Sequence, residues 1–287
     1  MAHTLQERYS QLIDLKLRAV LVKKDGVIFN NRYEGDPKAG KVKVPVRDTE
    51  VKIGDYSKTD GATATHGDTT YLDVIIDKDK AVNEIIDGYD AAAVPDNLVA
   101  DRLDSAAYSL ALQIEKDATA VLESKATQYS DTTALTKDTI YESIVGVRTS
   151  MSKANVPNDN RRFLLVTPDV YALVLTSPEF IKASDLGDAV VQTGAVGRIA
   201  GFNVYEDNTL TEATTEFIAG HPDWCTRVNE WQVPVHLQDI SGSGKYIGAS
   251  AVQGRRIYAH AVTKKATLFI KKKYNTSSGK TSVRQIV

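Results

Sequence analysis

The chain has 287 residues, 42% hydrophobic and 25% charged, enough for one large domain or two intimate ones with a real core. Its 35 basic and 37 acidic residues leave a formal net charge of −2, which excludes a generally basic nucleic-acid binder and any electrostatic pull toward anionic membrane. The opening MAHTLQERYSQL has no uninterrupted apolar core of a signal peptide, and no run approaches the ~20 apolar residues that span a bilayer. The single cysteine, Cys225, excludes an internal disulfide and predicts a partly buried thiol in a chain that folds in a reducing cytosol.

Residues 1–35 begin amphipathically (Leu5, Tyr9, Leu12, Ile13, Leu17), then run through Ala19, Val20, Leu21 and Val22 to a turn at Lys24, Asp25 and Gly26. This segment has few residues for a core of its own and reads as an extended arm lying on something else. From Gly40 the period becomes two: Val42, Val44 and Val46 share one face of a strand, and Lys41, Lys43 and Arg47 share the other. Pro45 cannot donate to a ladder, which favours an edge or a two-stranded ribbon. Alternation resumes out of phase at Val51 and Ile53, the sign of a bulge or twist. A polar, turn-rich tip follows over 54–68 (GDYSKTDGATATHGD), and a return strand over 69–77. A bare two-stranded ribbon is marginal in water. It must fold back on its own body or be held by a neighbouring chain, and the pattern favours the neighbour.

Residues 80–87 (KAVNEIID) read as a short helix. The stretch 95–128 is the longest element, with Leu98, Leu103, Ala107, Leu110, Ile114, Ala118 and Leu122 forming one apolar stripe. Pro95 opens it, Asp96 and Asp101 suit the positive end of its dipole, and Lys125 suits the other. At ~1.5 Å per residue it would run about 45–50 Å, more than a compact domain needs. A second amphipathic helix is predicted over 137–154, with Ile140, Ile144, Val147 and Met151 on one side and capping chemistry from Thr136 and Thr139. A buried strand over 162–166 follows, ended by Thr167 and Pro168, then a helix over 169–176. After a looser stretch, with a short helix or loop at 185–194, come strands at 197–205, 215–219 and 233–237. A further alternating pair lies around 256–262 and 266–270. The tail KKKYNTSSGKTSVRQIV ends the chain. Helix, strand and helix in series make an α+β or α/β protein.

Chemistry is scarce. The five histidines (His3, His66, His221, His236, His260) show no metal-ligand spacing, so no metal site is predicted. SGSGK (241–245) lacks the earlier glycine and the following Ser or Thr of a phosphate loop and reads as a turn; no cofactor is expected. GASA (248–251) lacks the last glycine of a nucleophile elbow. Glu206/Asp207 and Asp77/Asp79 read as solvated turn charge, and Lys271, Lys272 and Lys273 as a solvated strand end. No catalytic residue is proposed.

In order, an arm, a long hairpin, a long helix and a glycine-punctuated α/β lobe, the chain resembles the major capsid proteins of tailed bacteriophages, the Hong Kong phage fold. The local match is GRIAGFNVYEDN (197–208), similar to the G-x-I-x-G-F-x-V strand start of that family, with RFLLVTP (162–168) and the helix after it. The resemblance implies an α+β phage capsid fold. Residues 1–35 would be an N-terminal arm, 36–80 an extended loop, 81–139 a peripheral domain with the spine helix, 140–240 mostly an axial domain, and 241–287 return strands and tail. It implies no enzyme, but a subunit that self-assembles as hexamers and pentamers into an icosahedral head in the virion, built in the host cytoplasm. The head would enclose double-stranded DNA without sequence-specific binding. A separate scaffolding protein, a portal and decoration proteins are the implied partners, the scaffold because no long extension precedes residue 1. Lys52, Asp55, Tyr56, Lys58, Asp60, His66, Asp68 and Arg198 are the candidate intersubunit contacts. Two alternatives stay open: an encapsulin-like nanocompartment shell, told apart by a protein cargo, and a soluble α/β enzyme, told apart by activity of the dilute monomer.

Overall fold

A computed structural model describes residues 18–47, 51, 53–62, 69–93, 97–178 and 197–273. The amphipathic opening before residue 18, Lys52, His66, Asp68, Pro95, Asp96, the 185–194 segment and the tail from 274 lie outside the described residues.

The predicted ribbon is present. Strand β1 (Lys41–Arg47) pairs antiparallel with β2 (Thr69–Ile75) as an isolated two-stranded sheet, Val42 opposite Val74 and Val44 opposite Leu72. Its valine face is not bare at the base. Val44 and Val74 are buried against Val228 and Ala259 of the same chain, with Tyr33 and Ile76 beside them. The ribbon therefore grips its own body at one end and leaves it at the other.

The short helix expected over 80–87 is instead strand β3 (Lys78–Ile86). Its burial alternates residue by residue, and it pairs antiparallel with β10 (Ser250–Val262) from Lys78 to Ile86. Pairing with β10 decides the matter, placing Val82, Glu84 and Ile86 on one face of the sheet. The helix comes later, as α1 (Gly88–Ala93). At Gly88 a Cβ would sit 2.2 Å from the Gly248 carbonyl oxygen, so only glycine permits this approach.

The long helix α2 runs Leu98–Lys125, 28 residues, or about 42 Å at 1.5 Å per residue. It is shorter at both ends than expected. Asn97, in the left-handed region at φ 54°, caps the start by accepting from the Ala100 N–H. At the other end Ala126 turns extended, and β4 (Thr127–Gln128) joins a sheet. The apolar stripe also differs, since Ala106 is buried and Ala107 is exposed. The first half of the helix, through Leu98, Leu103 and Ala106, packs on Val252, Ile86 and Val235. The second half, through Ala118 and Leu122, packs on a different sheet. A helix lying across two sheets changes its buried face between them.

Beyond it, α3 (Ile140–Lys153) starts three residues later than predicted, with Thr139 at its cap position making no capping bond. Then come β5 (Phe163–Val166), α4 (Pro168–Leu175), β6 (Arg198–Ile199), β7 (Phe202–Glu206) and β8 (Thr215–Gly220). β6 and β7 form a tight hairpin through Ala200 and Gly201, both at positive φ, as such two-residue turns require. The strand expected at 233–237 is the outer third of a 15-residue strand, β9 (Cys225–Asp239). The 256–262 and 266–270 segments do not pair with each other. β10 pairs with β3 and β9, while β11 (Phe269–Lys272) pairs with β4 and β8.

Two further sheets result: β3-β10-β9, and a six-stranded mixed sheet in the order β4-β11-β8-β5-β7-β6. The central strands β5 and β8 are buried at every residue. One face of the larger sheet carries α3 and α4, through Ile144, Val147, Met151 and Val170 against Leu164, Val166 and Phe217. The other carries α2 and the arm, whose Ile28 and Phe29 are fully buried. The described arm thus lies on its own subunit, bridged from Asn30 to Thr226 and from Glu34 to Asn229. Among the described residues no helix is long and apolar enough to cross a membrane.

Candidate functional site

Several groups read as solvated charge turn out to be structural. Lys271 is 1% exposed, and its ammonium donates to the Asp131 carboxylate at 2.8 Å and the Asp131 carbonyl at 3.2 Å. Burial opposes ionisation of Asp131, yet hydrogen bonds from Lys271, Thr133 and Ser143 hold its carboxyl well below the usual range. Asp207 is 1% exposed and ion-paired with Lys23 of the arm. Both corrections have one cause: the pairing residue lies more than a hundred positions away. Asp79 is exposed and pairs with Arg255 on the outer face of β3-β10-β9. Cys225 is fully buried, and burial pushes its thiol up to about 12.

Ligand atoms of Asp159, His221 and Asp223 lie within 4.8 Å of one another. Their charge is already spent: Arg161 binds both carboxylates and Arg32 binds Asp223 at 2.6 Å. The His221 Nδ1 accepts from the Asp223 N–H, and its Nε2 lies 3.0 Å from Asp159. This cluster staples the arm to the end of β8. A depression of about 440 Å³ between Tyr33, Gly35, Trp231 and Arg256 is open to solvent and pairs no nucleophile with a base.

The distinctive surface is apolar. Val51, Ile53, Tyr56, Tyr71, Leu72 and Ile75 are all exposed, Ile53 at 97% and Val51 at 83%. Single exposed hydrophobics are ordinary; six along one ribbon are not. Tyr71 and Ile75 share the ribbon face that carries Lys41 and Lys43, opposite the valines. Sequence reading missed these two because attention to the valine face hid the apolar residues among the lysines. The turn at the tip is closed by Ser57 N–H to Gly61 O at 3.1 Å, with Ser57 Oγ accepting from the N–H groups of Thr59 and Asp60. Asp55, Tyr56, Lys58 and Asp60 all surround this turn at its exposed surface or flank it, with Asp55 and Lys58 in no ion pair among the described residues. Arg198 sits elsewhere, exposed on edge strand β6, donating to Asn203 Oδ1 at 2.8 Å and the Asn160 carbonyl at 3.2 Å. Among the described candidates, Asp55, Tyr56, Lys58 and Asp60 are therefore brought together around one turn, and Arg198 is not with them.

A family model described as phage capsid protein matches residues 85–261. No curated protein sequence matches. Solved structures are similar over almost the whole chain. A chain from Mycobacterium phage Che8 is 21% identical, with TM-score 0.77 over 93% of this chain and 96% of that one. One from the capsid structure of the cyanophage P-SCSP1u is 12% identical, with TM-score 0.78 over 94% and 93%. One from Gordonia phage Cozz is 14% identical, with TM-score 0.69 over 94% and 91%. These likenesses establish the α+β phage capsid fold. The nanocompartment and enzyme readings are not favoured by the family match. The chain belongs to the phage capsid protein family, as a structural shell subunit and not an enzyme.

Proposed function

We propose that the chain is the repeating tile of an icosahedral phage head, assembled from hexamers and pentamers in the host cytoplasm and enclosing double-stranded DNA. Residues 36–80 would be the loop that reaches a neighbouring subunit. In this reading the β3-β10-β9 sheet and α2 form the peripheral domain, and the six-stranded sheet with α3 and α4 forms the axial domain. That keeps most of 140–240 axial but moves β9 across the boundary, with β10 as a return strand of the peripheral domain. A separate scaffolding protein, a portal and decoration proteins would complete the head. The net charge of −2 suits a container that does not hold DNA tightly or by sequence.

One observation carries the proposal. Among the described residues the ribbon is anchored on its own chain at its base, by buried Val44 and Val74 with Val42 and Ile76 beside them, while Val51, Ile53 and Tyr56 beyond the anchor face solvent. Burying them on a neighbour uses the hydrophobic effect for association, with Asp55, Lys58, Asp60 and the other candidate charges, Lys52, His66, Asp68 and Arg198, setting register. Each contact is modest, and shell closure multiplies it because every tile is held by several others. The test is purification with a co-expressed scaffold followed by negative-stain microscopy and sedimentation. Closed shells are expected; only small monodisperse species at every salt concentration would refute the proposal.

A further inference from the structure

Where the arm, α2 and the six-stranded sheet meet, three ionisable side chains are sealed together. Lys23 is 0% exposed, Asp207 1% and Glu115 5%. The Lys23 ammonium contacts Asp207 Oδ2, lies 2.7 Å from Thr209 Oγ1 and 3.6 Å from Glu115 Oε2. The other oxygen of Asp207, Oδ1, accepts from the Thr209 N–H at 2.9 Å and its hydroxyl at 2.7 Å. Glu115 Oε1 accepts from the Lys23 N–H at 2.9 Å, whereas its Oε2, buried and facing the pair, has no hydrogen bond. Arg227 fixes the arm here, donating to the Lys23 carbonyl and to Asp25, each at 2.8 Å. We propose that Lys23 and Asp207 are joined by an isopeptide bond that forms within the folded subunit, with Glu115 as the proton-transfer group.

The chemistry needs nothing from outside. A proton passes from the Lys23 ammonium to the Asp207 carboxylate along the contact they already share, giving amine and acid. The neutral Nζ attacks Asp207 Cγ, the carbon next to the oxygen it already touches. Fixed juxtaposition of this kind is worth effective concentrations of about 10⁵ M or more. Oδ1 becomes the oxyanion and then the amide oxygen, and the two Thr209 donors are already aimed at it. Glu115 takes the proton from nitrogen and delivers one to the departing Oδ2. The C–N bond forms, the C–O bond breaks, and ammonium plus carboxylate become an amide and one water. Glu115 ends as it began. Burial pushes its carboxyl up, against the pull of Lys23, which suits a group that must hold a proton here. Lys271 and Asp131 offer a contrast: Asp131 is 26% exposed and firmly ionised, a poor acyl acceptor.

Intact-mass measurement on the denatured full-length chain tests this. The expected mass is one water below that of the sequence, with protease digestion giving a branched peptide that joins Lys23 to Asp207. Lys23→Arg should keep the full mass, and Glu115→Gln should form the bond about 100-fold more slowly. A wild-type chain of full mass overturns the proposal whatever the variants do. So does a lighter chain in which the two peptides separate, which would mean cyclisation at Asp207 and Asn208. A Glu115→Gln chain that bonds as fast as wild type removes Glu115 from the mechanism.

Discussion

Ile53 is the sharpest probe of the loop. At 97% exposure it contributes nothing to the core of its own subunit, so Ile53→Ala should leave the free subunit within about 0.5 kcal/mol of wild type. If a neighbour buries it fully, the lost side-chain carbons are worth ~0.8 kcal/mol each, or about 2 kcal/mol per tile. At 1.4 kcal/mol per tenfold, the concentration needed for assembly should rise by roughly 30-fold. Val44→Ala is the opposite control. Val44 is 1% exposed inside the base cluster, and deleting it should cost the free subunit about 2 kcal/mol through lost burial and a cavity. The assays are chemical unfolding of subunits held below the assembly threshold and sedimentation across a concentration series. The reasoning fails if Ile53→Ala destabilises the isolated subunit as much as Val44→Ala, or if it assembles at the wild-type concentration.

Three further outcomes follow from the interior. Gly220→Ala places a Cβ 2.6 Å from both Leu268 Cδ1 and Phe163 Cζ, so overpacking should cost about 1–3 kcal/mol in urea unfolding; an unchanged midpoint would refute the crowding. Lys271→Met leaves Asp131 without its ammonium and should cost about 2 kcal/mol near pH 7, less than a fully buried pair because Asp131 keeps some solvent. Because the folded carboxyl is depressed below its ordinary 3.8, that stabilisation is present above 3.8 and fades as pH falls below it. The gap between wild type and variant should narrow at about pH 2.5, and a constant gap would sink the assignment. Cys225, fully buried with its thiol pushed up to about 12, should resist thiol reagents until the chain unfolds; rapid labelling of native protein would show a more open β8–β9 region.

How far the letters reach depends on the range of the interaction that decides each residue. Val42, Val44 and Val46 announce β1 because side-chain alternation is local, and Phe163 to Val166 announce a buried strand for the same reason. Lys80 to Asp87 misled because eight residues with Val82, Ile85 and Ile86 fit either period, and only pairing with β10, about 170 positions on, selects strand. Ala106 displaced Ala107 because α2 crosses from one sheet to another, a fact of tertiary placement. Of the contact candidates, those around the tip turn were legible as a polar, turn-rich stretch; Tyr71 and Ile75 were not, because strand register alone puts them among the lysines. Lys23, Asp207 and Lys271 look like any surface charge in the sequence, and their partners lie 184 and 140 positions away.

The two segments ahead of α2 divide the subunit's work. Each carries apolar residues among charges, VLVKKDGVIFN over 20–30 and VKIGDY over 51–56, so composition does not separate them. Their fates differ. The arm gives Ile28 and Phe29 to the core and is held further by Lys23, Asn30 and Arg32, each bonded to the body. Among the described residues the loop gives Val44 and Val74, with Val42 and Ile76 beside them, while Val51, Ile53 and Tyr56 stay exposed. In the proposed shell, a chain that ties down one such segment with a buried ion cluster and leaves the other uncovered holds the first on its own body and offers the second to a sister copy.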